Sequence, residues 1–149
     1  MSSLAFTVLF ISFLLISLGV RFWLASRHIR HILANRATVP AQFSGQISLE
    51  AHQKAADYSI AKTKFSLFIV LLNAAVLIGF TLMGGLQWLA SASFDIFGDG
   101  WRYQLGLVLA FALISGLVEL PFDYFRQFVL EARFGFNRMS PALFFTDLF

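Results

Sequence analysis

Few side chains in this 149-residue chain are suited to chemistry, and they fall in three groups. His28 and His31 are spaced to share a helical face, and His52 follows in the same polar stretch. A zinc site takes three or four converging ligands. This trio is surrounded by Arg27, Arg30 and Arg36, which repel a cation, and no carboxylate stands close by to complete a set. The basic cluster is better suited to the headgroups of an anionic leaflet, which attract Arg and Lys beside a membrane span. In the second group, Glu119, Asp123 and Arg126 lie at i, i+4 and i+7 around Pro121, on one side of a kinked helix. An acid inside a membrane is usually turned toward a bundle interior or a water-filled cavity. Two readings of Glu119 stand: a polar chamber wall, or a carboxylate just inside the interface paired with Arg126. Asn73 is a milder case of the same kind, for which a cross-helix hydrogen bond suffices. In the third group, Ser140 and Pro141 carry the pairing of N-cap and first helical residue, just after Gly135 and Asn137.

The elements that position these residues belong to a membrane. Hydrophobic residues make up 58% of the chain and charged ones 13%, with 19 Phe, which is too apolar for an ordinary soluble domain. The absence of Cys excludes a thiol nucleophile, a disulfide and a thiolate metal site. A crossing takes roughly 20 apolar residues, and 4–23, 65–90 and 104–120 qualify. The first has no cationic residue ahead of it and no small-residue cleavage pattern, so it reads as an uncleaved anchor.

Charge placement orients the spans. The 26–64 connection carries Arg27, Arg30, Arg36, Lys54, Lys62 and Lys64, whereas the stretch around Asp95 and Asp99 holds Arg102 alone. By the positive-inside rule the long connection is cytoplasmic, the amino terminus and the 91–103 loop lie outside, and the 124–149 tail returns to the cytoplasm. Ser48 as N-cap with Glu50 in the first turn predicts a helix from 48 that runs on to 90, longer than the bilayer and projecting into the cytoplasm. Small residues four apart, Ala75 with Gly79, Gly106 with Ala110 and Ala112 with Gly116, predict close helix approach. Phe144 over Leu148 and Phe145 over Phe149 predict an interfacial amphipathic helix at the end. The fold class is all-α and integral to the membrane, with three transmembrane helices, a cytoplasmic helical extension and a C-terminal interfacial helix.

The tail FVLEARFGFNRMSPALFFTD, 128–147, resembles a segment of the CAAX prenyl protease family of zinc metallopeptidases. Pro121, Tyr124, Phe128, Glu131, Gly135, Phe136, Asn137 and Asp147 carry the resemblance. Val39-Pro40 through Phe43, Ile47-Ser48, Ala56-Asp57-Tyr58 and Lys62-Thr63-Lys64-Phe65 are similar to the cytoplasmic connection of bacterial members, so the resemblance implies a bacterial inner membrane. Ala132, where many relatives carry a charge, and Ser140 in place of Thr are the departures.

The resemblance implies a parent zinc endopeptidase whose HExxH helix lies beyond Phe149, where two His and a distal Glu hold zinc and the motif's Glu activates water. For this segment it implies no bound cofactor, no catalysis alone, a wall of the intramembrane chamber, and docking of the protease domain through Glu131, Gly135, Asn137 and Asp147. Expected partners are the lipid bilayer, that protease domain and a membrane-associated polypeptide substrate, with no nucleic acid. The alternatives are a non-catalytic scaffold or partner subunit and, from Glu119 and Asn73 alone, a small transporter.

Overall fold

Runs of Leu, Ile, Phe and Val with no buried partner to specify a periodicity form helices that are apolar on every side, and these dominate the computed structural model, which describes residues 2–147. The order is α1 (Ser3–Asn35), α2 (Leu49–Thr81), α3 (Gly85–Phe97), α4 (Trp101–Phe125), a π-helical segment (Arg126–Glu131) and α5 (Pro141–Thr146). Among the described residues, α1, α2 and α4 with its π extension are the three helices long and apolar enough to cross a membrane.

The side chains settle the environment. Among the described residues only Ala56, Ala74, Leu89 and Ser93 are buried, while Phe13, Trp88, Ile96 and Leu113 are all at least 66% exposed. Apolar exposure on that scale would aggregate in water. In a bilayer it is the solvated state, and the chain is an integral membrane protein.

Each helix begins and ends for a local reason. Ser2 and Ser48 cap α1 and α2 by accepting from the amides of Ala5 (3.3 Å) and Ala51 (3.1 Å). α1 runs past the apolar stretch into the basic cluster, and at 33 residues it measures about 50 Å against a hydrocarbon core of about 30 Å. α2, also 33 residues, projects by a similar amount at its amino end.

The single helix predicted from 48 to 90 does not form. α2 stops at Thr81, and the chain turns through Gly84, whose φ of +79° only glycine adopts at little cost. Gly85 then sits so close to α2 that an added Cβ would stand 2.8 Å from the Gly79 carbonyl oxygen. α3, expected in part as an exterior loop, is a 13-residue helix of about 20 Å, too short to cross.

α2 is the central helix, with α1 on one side and the π segment and α3 on the others. Of the three small-residue pairs, only Gly106 makes a close approach: a Cβ there would stand 2.5 Å from the Phe97 ring, whereas Gly79 and Gly116 meet nothing within 4 Å. Gly106→Val should therefore destabilise the α3–α4 hairpin by about 1–3 kcal/mol, the usual cost of overpacking. Adding Phe97→Ala to Gly106→Val should restore part of it, and unfolding in detergent micelles with no such rescue would contradict the contact.

Candidate functional site

Aromatic side chains join α2 to the fourth helix and decide what space lies between them. Phe65 stacks on Phe125 with ring centroids 5.4 Å apart, Phe68 meets Phe122 at 5.6 Å, and Phe80 meets Phe111 edge-on at 5.0 Å. Rings at both ends keep the backbones apart, and a cleft of about 530 Å3 opens between them. Its walls are mainly Val, Leu and Phe, with Asn73, Thr81, Ser115 and Glu119 as the polar exceptions.

Two sequence candidates thus meet: Asn73 from α2 and Glu119 from α4 border the same cleft and also the smaller one beside it, of about 220 Å3, with Asp123 and Arg126. Glu119 is not the partner of Arg126. That guanidinium bonds Asp123 at 2.9 Å, one turn nearer in sequence, and Glu119 borders the cleft with no ion-pair partner among the described residues. Pro121 lies inside α4, and the π turn follows five residues later. Such turns recur at functional sites.

The end of the molecule that carries the tail is organised by the Glu-x-x-x-Gly-Phe-Asn sequence. The amides of Gly135 and Phe136 donate to the carbonyls of Ala132 (3.0 Å) and Glu131 (2.9 Å), with Gly135 at φ +72°. This is a Schellman C-cap, which puts the glycine in the left-handed conformation and satisfies the last helical carbonyls. It swings Phe134 and Phe136 onto Tyr58 of α2, with centroids 5.5 and 4.7 Å away. Asn137 Oδ1 then accepts from Gln127 Nε2 at 3.0 Å and from the Met139 amide at 2.8 Å, fixing the chain before α5. Ser140 caps α5 by accepting from the Leu143 amide, with Pro141 at its first turn. The predicted contacts of Leu148 and Phe149 lie outside the described residues. Asp147 closes α5 through its amide, which donates to the Leu143 carbonyl.

The basic connection contains an ion pair not foreseen in the sequence. Arg36 Nε and Nη2 donate to the two carboxylate oxygens of Asp57, each at 2.8 Å, fastening the end of α1 to α2. Both side chains are partly exposed, so the pair fixes geometry more than stability. In the sequence Asp57 stands out only as part of the Ala56-Asp57-Tyr58 resemblance, which gives it no partner. His52 Nε2 lies 3.1 Å from the Asn35 carbonyl oxygen, and Asn35 Nδ2 donates to the His31 carbonyl at 2.8 Å, so two of the three histidines serve the α1–α2 corner. Arg27 lies over the Trp23 ring at 5.0 Å.

The hydrogen bonds from Arg36 hold the Asp57 carboxyl below the usual carboxylate range, and the Arg36 charge adds to this against the opposing effect of desolvation. A carboxyl with a lowered folded pKa contributes fully above its unfolded value of about 3.9 and loses that contribution as pH falls through the folded one. The stability difference between the protein and Asp57→Asn should therefore be flat from about pH 5 to 8 and shrink below about pH 4. Denaturant titrations across that range check it, and a difference that changes near neutrality would contradict it.

Among the described residues no group of His, Asp and Glu is placed to hold a metal ion. Three membrane helices, a polar-edged cleft between two of them and a C-terminal tail folded back on the central helix define a polytopic membrane domain.

The family model described as CAAX prenyl protease N-terminal, five membrane helices, matches residues 28–149, and the chain belongs to that family. CAAX prenyl protease 1 of Saccharomyces cerevisiae is 29% identical over 131 residues, covering 74% of this chain and 26% of the relative. Its homolog in Dictyostelium discoideum is 28% identical over 156 residues (94% and 34%), and that of Mus musculus 30% over 144 (90% and 30%). The chain therefore spans between a quarter and about a third of the length of these curated relatives.

Proposed function

We propose that this chain forms the membrane-embedded amino-terminal part of a zinc metalloendopeptidase that acts on membrane-associated polypeptides. The observation that carries it is the α2–α4 cleft: Asn73 and Glu119 face an apolar space at membrane depth, in a chain of the CAAX prenyl protease family. An unpaired carboxylate there has a use in a hydrated chamber and a cost in lipid. The family's amino-terminal segment is described with five membrane helices, and in this reading a further helix closes the open side of the cleft into a chamber wall.

Among the described residues no group fits a zinc site, and this reading assigns the metal and its HExxH helix to the protease half. The same reading gives the 131–147 tail the task of docking that half. Glu131 and Gly135 form the turn that lays Phe134 and Phe136 on Tyr58, Asn137 fixes the chain before α5, Phe144 of α5 packs back on Tyr124 and Phe128, and Asp147 ends that helix. The basic 26–64 connection and this tail lie in the cytoplasm and the amino terminus outside, with Arg27 and Arg30 toward lipid headgroups and Arg36 engaged by Asp57. The purified segment alone is inactive. A bacterial inner membrane remains the host implied by the 39–65 resemblance, although the relatives above are eukaryotic.

The test begins with the coding sequence past Phe149, where an HExxH helix is expected and an immediate stop would remove the protease parent. In the longer protein, Glu119→Gln should leave zinc content unchanged and lower peptide turnover roughly tenfold, the scale of one charge-assisted hydrogen bond. Unchanged turnover would take Glu119 out of the chamber.

A further inference from the structure

We infer a binding site for the phosphate of an anionic phospholipid in the seam between α1 and α2. His28 from α1 and Ser59, Lys62, Thr63 and Ser66 from α2 line a pocket of about 330 Å3. These are an imidazole, an ammonium and three hydroxyls, the donor types that phosphate oxygens accept from. No carboxylate borders the pocket; Asp57, one turn before it, is held by Arg36. The Ser59 and Thr63 hydroxyls donate to the carbonyls of Ala55 and Ser59, and rotation about one bond redirects them. Lys62 Nζ lies 5.6 Å above the Tyr58 ring. Its flexible stem carries it over the pocket rim.

The depth fits a headgroup. On α1, Trp23 with Arg27 over its ring marks the interface, and His28 lies just beyond it. On α2, Lys62 and Lys64 immediately precede the apolar run that begins at Phe65. Both helices thus leave the hydrocarbon at the level of the pocket.

What distinguishes a lipid from free phosphate is the continuation of the seam. α1 and α2 are antiparallel, and deeper between them a second groove of about 230 Å3 is lined by Leu14, Leu18, Val70 and Leu77, with Ser17, Arg21 and Asn73 as its polar residues. A polar pocket at the interface with a largely aliphatic groove deeper along the same two helices suits a phosphate with an acyl chain below it. The occupant is an acidic phospholipid; zwitterionic lipid lacks the net charge that Lys62, Arg27 and Arg30 attract. This deepens the proposed contact of the 26–64 connection with lipid headgroups, and a measurement in detergent keeps it separate from the sidedness of the membrane.

The experiment is native mass spectrometry of the full chain in micelles, titrated with phosphatidylglycerol, with phosphatidylcholine of the same acyl chains, and with glycerol phosphate. One phosphatidylglycerol should bind saturably, at least tenfold tighter than phosphatidylcholine, with glycerol phosphate weaker still. Lys62→Ala with His28→Ala should bring phosphatidylglycerol down to the phosphatidylcholine level, while Arg138→Ala, an equal charge loss elsewhere, should not. Lys62→Gln removes the charge while keeping a long polar side chain, and gives the same loss should the double variant misfold. Equal affinity for both lipids, equal loss in Arg138→Ala, or retention in the Lys62 variants would overturn the site. Glycerol phosphate binding as tightly as the lipid would overturn the lipid as its occupant.

Discussion

Leu113→Arg should abolish stable membrane insertion of the fourth helix. Leu113 lies near the middle of α4 and is 66% exposed, on a face that touches no other described helix. Placing Arg at the centre of a span costs about 2.5–3.5 kcal/mol on insertion scales, and the lost leucine adds a few tenths. An effect of that size shifts an inserted-to-uninserted ratio by roughly a hundredfold. The opposite sign follows if α4 meets water, since a charge replacing an exposed Leu would then be neutral or would improve solubility. A glycosylation-site reporter on either side of α4 reads the outcome. Full insertion of the Leu113→Arg chain at wild-type yield would contradict the assignment of this face to lipid, and Arg at the exposed Leu33, beyond the apolar run, serves as the tolerated control.

Gly135→Val should release the C-terminal tail from α2. The left-handed conformation costs an L-residue about 1–2 kcal/mol, and a β-branched one sits at the unfavourable end. The added side chain also meets Lys54, whose Nζ is 3.5 Å from where a Cβ would stand. Opening of the tail should become about 5–30-fold more frequent. Tyr58→Ala removes the rings' partner on α2, so its effect on tail opening should be far smaller in the Gly135→Val background than alone. Limited proteolysis between 132 and 139 measures all four chains. Additive effects would show that the Schellman turn and the aromatic contact are separate devices and that the motif does not exist to dock the tail.

Much of the fold could be read from composition, because a crossing helix is specified by length and apolarity alone. The caps at Ser48 and Ser140 were equally legible, since a cap depends on residues within one turn. What escaped depends on contacts distant in sequence or on glycine conformation inside an apolar run. The end of α2 at Thr81 is set by Gly84 and Gly85, which hydropathy counts as neutral and reads straight through. The Arg36–Asp57 pair exists because the end of α1 meets the first part of α2, 21 residues apart in the chain. Among the site candidates, Asn73 and Glu119 were singled out for polarity at membrane depth, but only the ladder of Phe pairs shows why a cleft opens between them. The small-residue spacing was a weaker guide. Gly106 has its partner in Phe97 of α3, and Gly79 and Gly116 face open space, where a lipid or a further membrane helix would lie.

The chain's lack of Cys makes sidedness directly measurable, because any introduced thiol is unique. Glu50→Cys and Asp99→Cys, at the start of α2 and in the turn between α3 and α4, report the two faces. In intact cells an impermeant maleimide should label position 99 at once and position 50 only after the membrane is opened. Labelling of position 50 from outside, or of both positions from the same side, would mean that the basic connection is not cytosolic or that α2 does not cross.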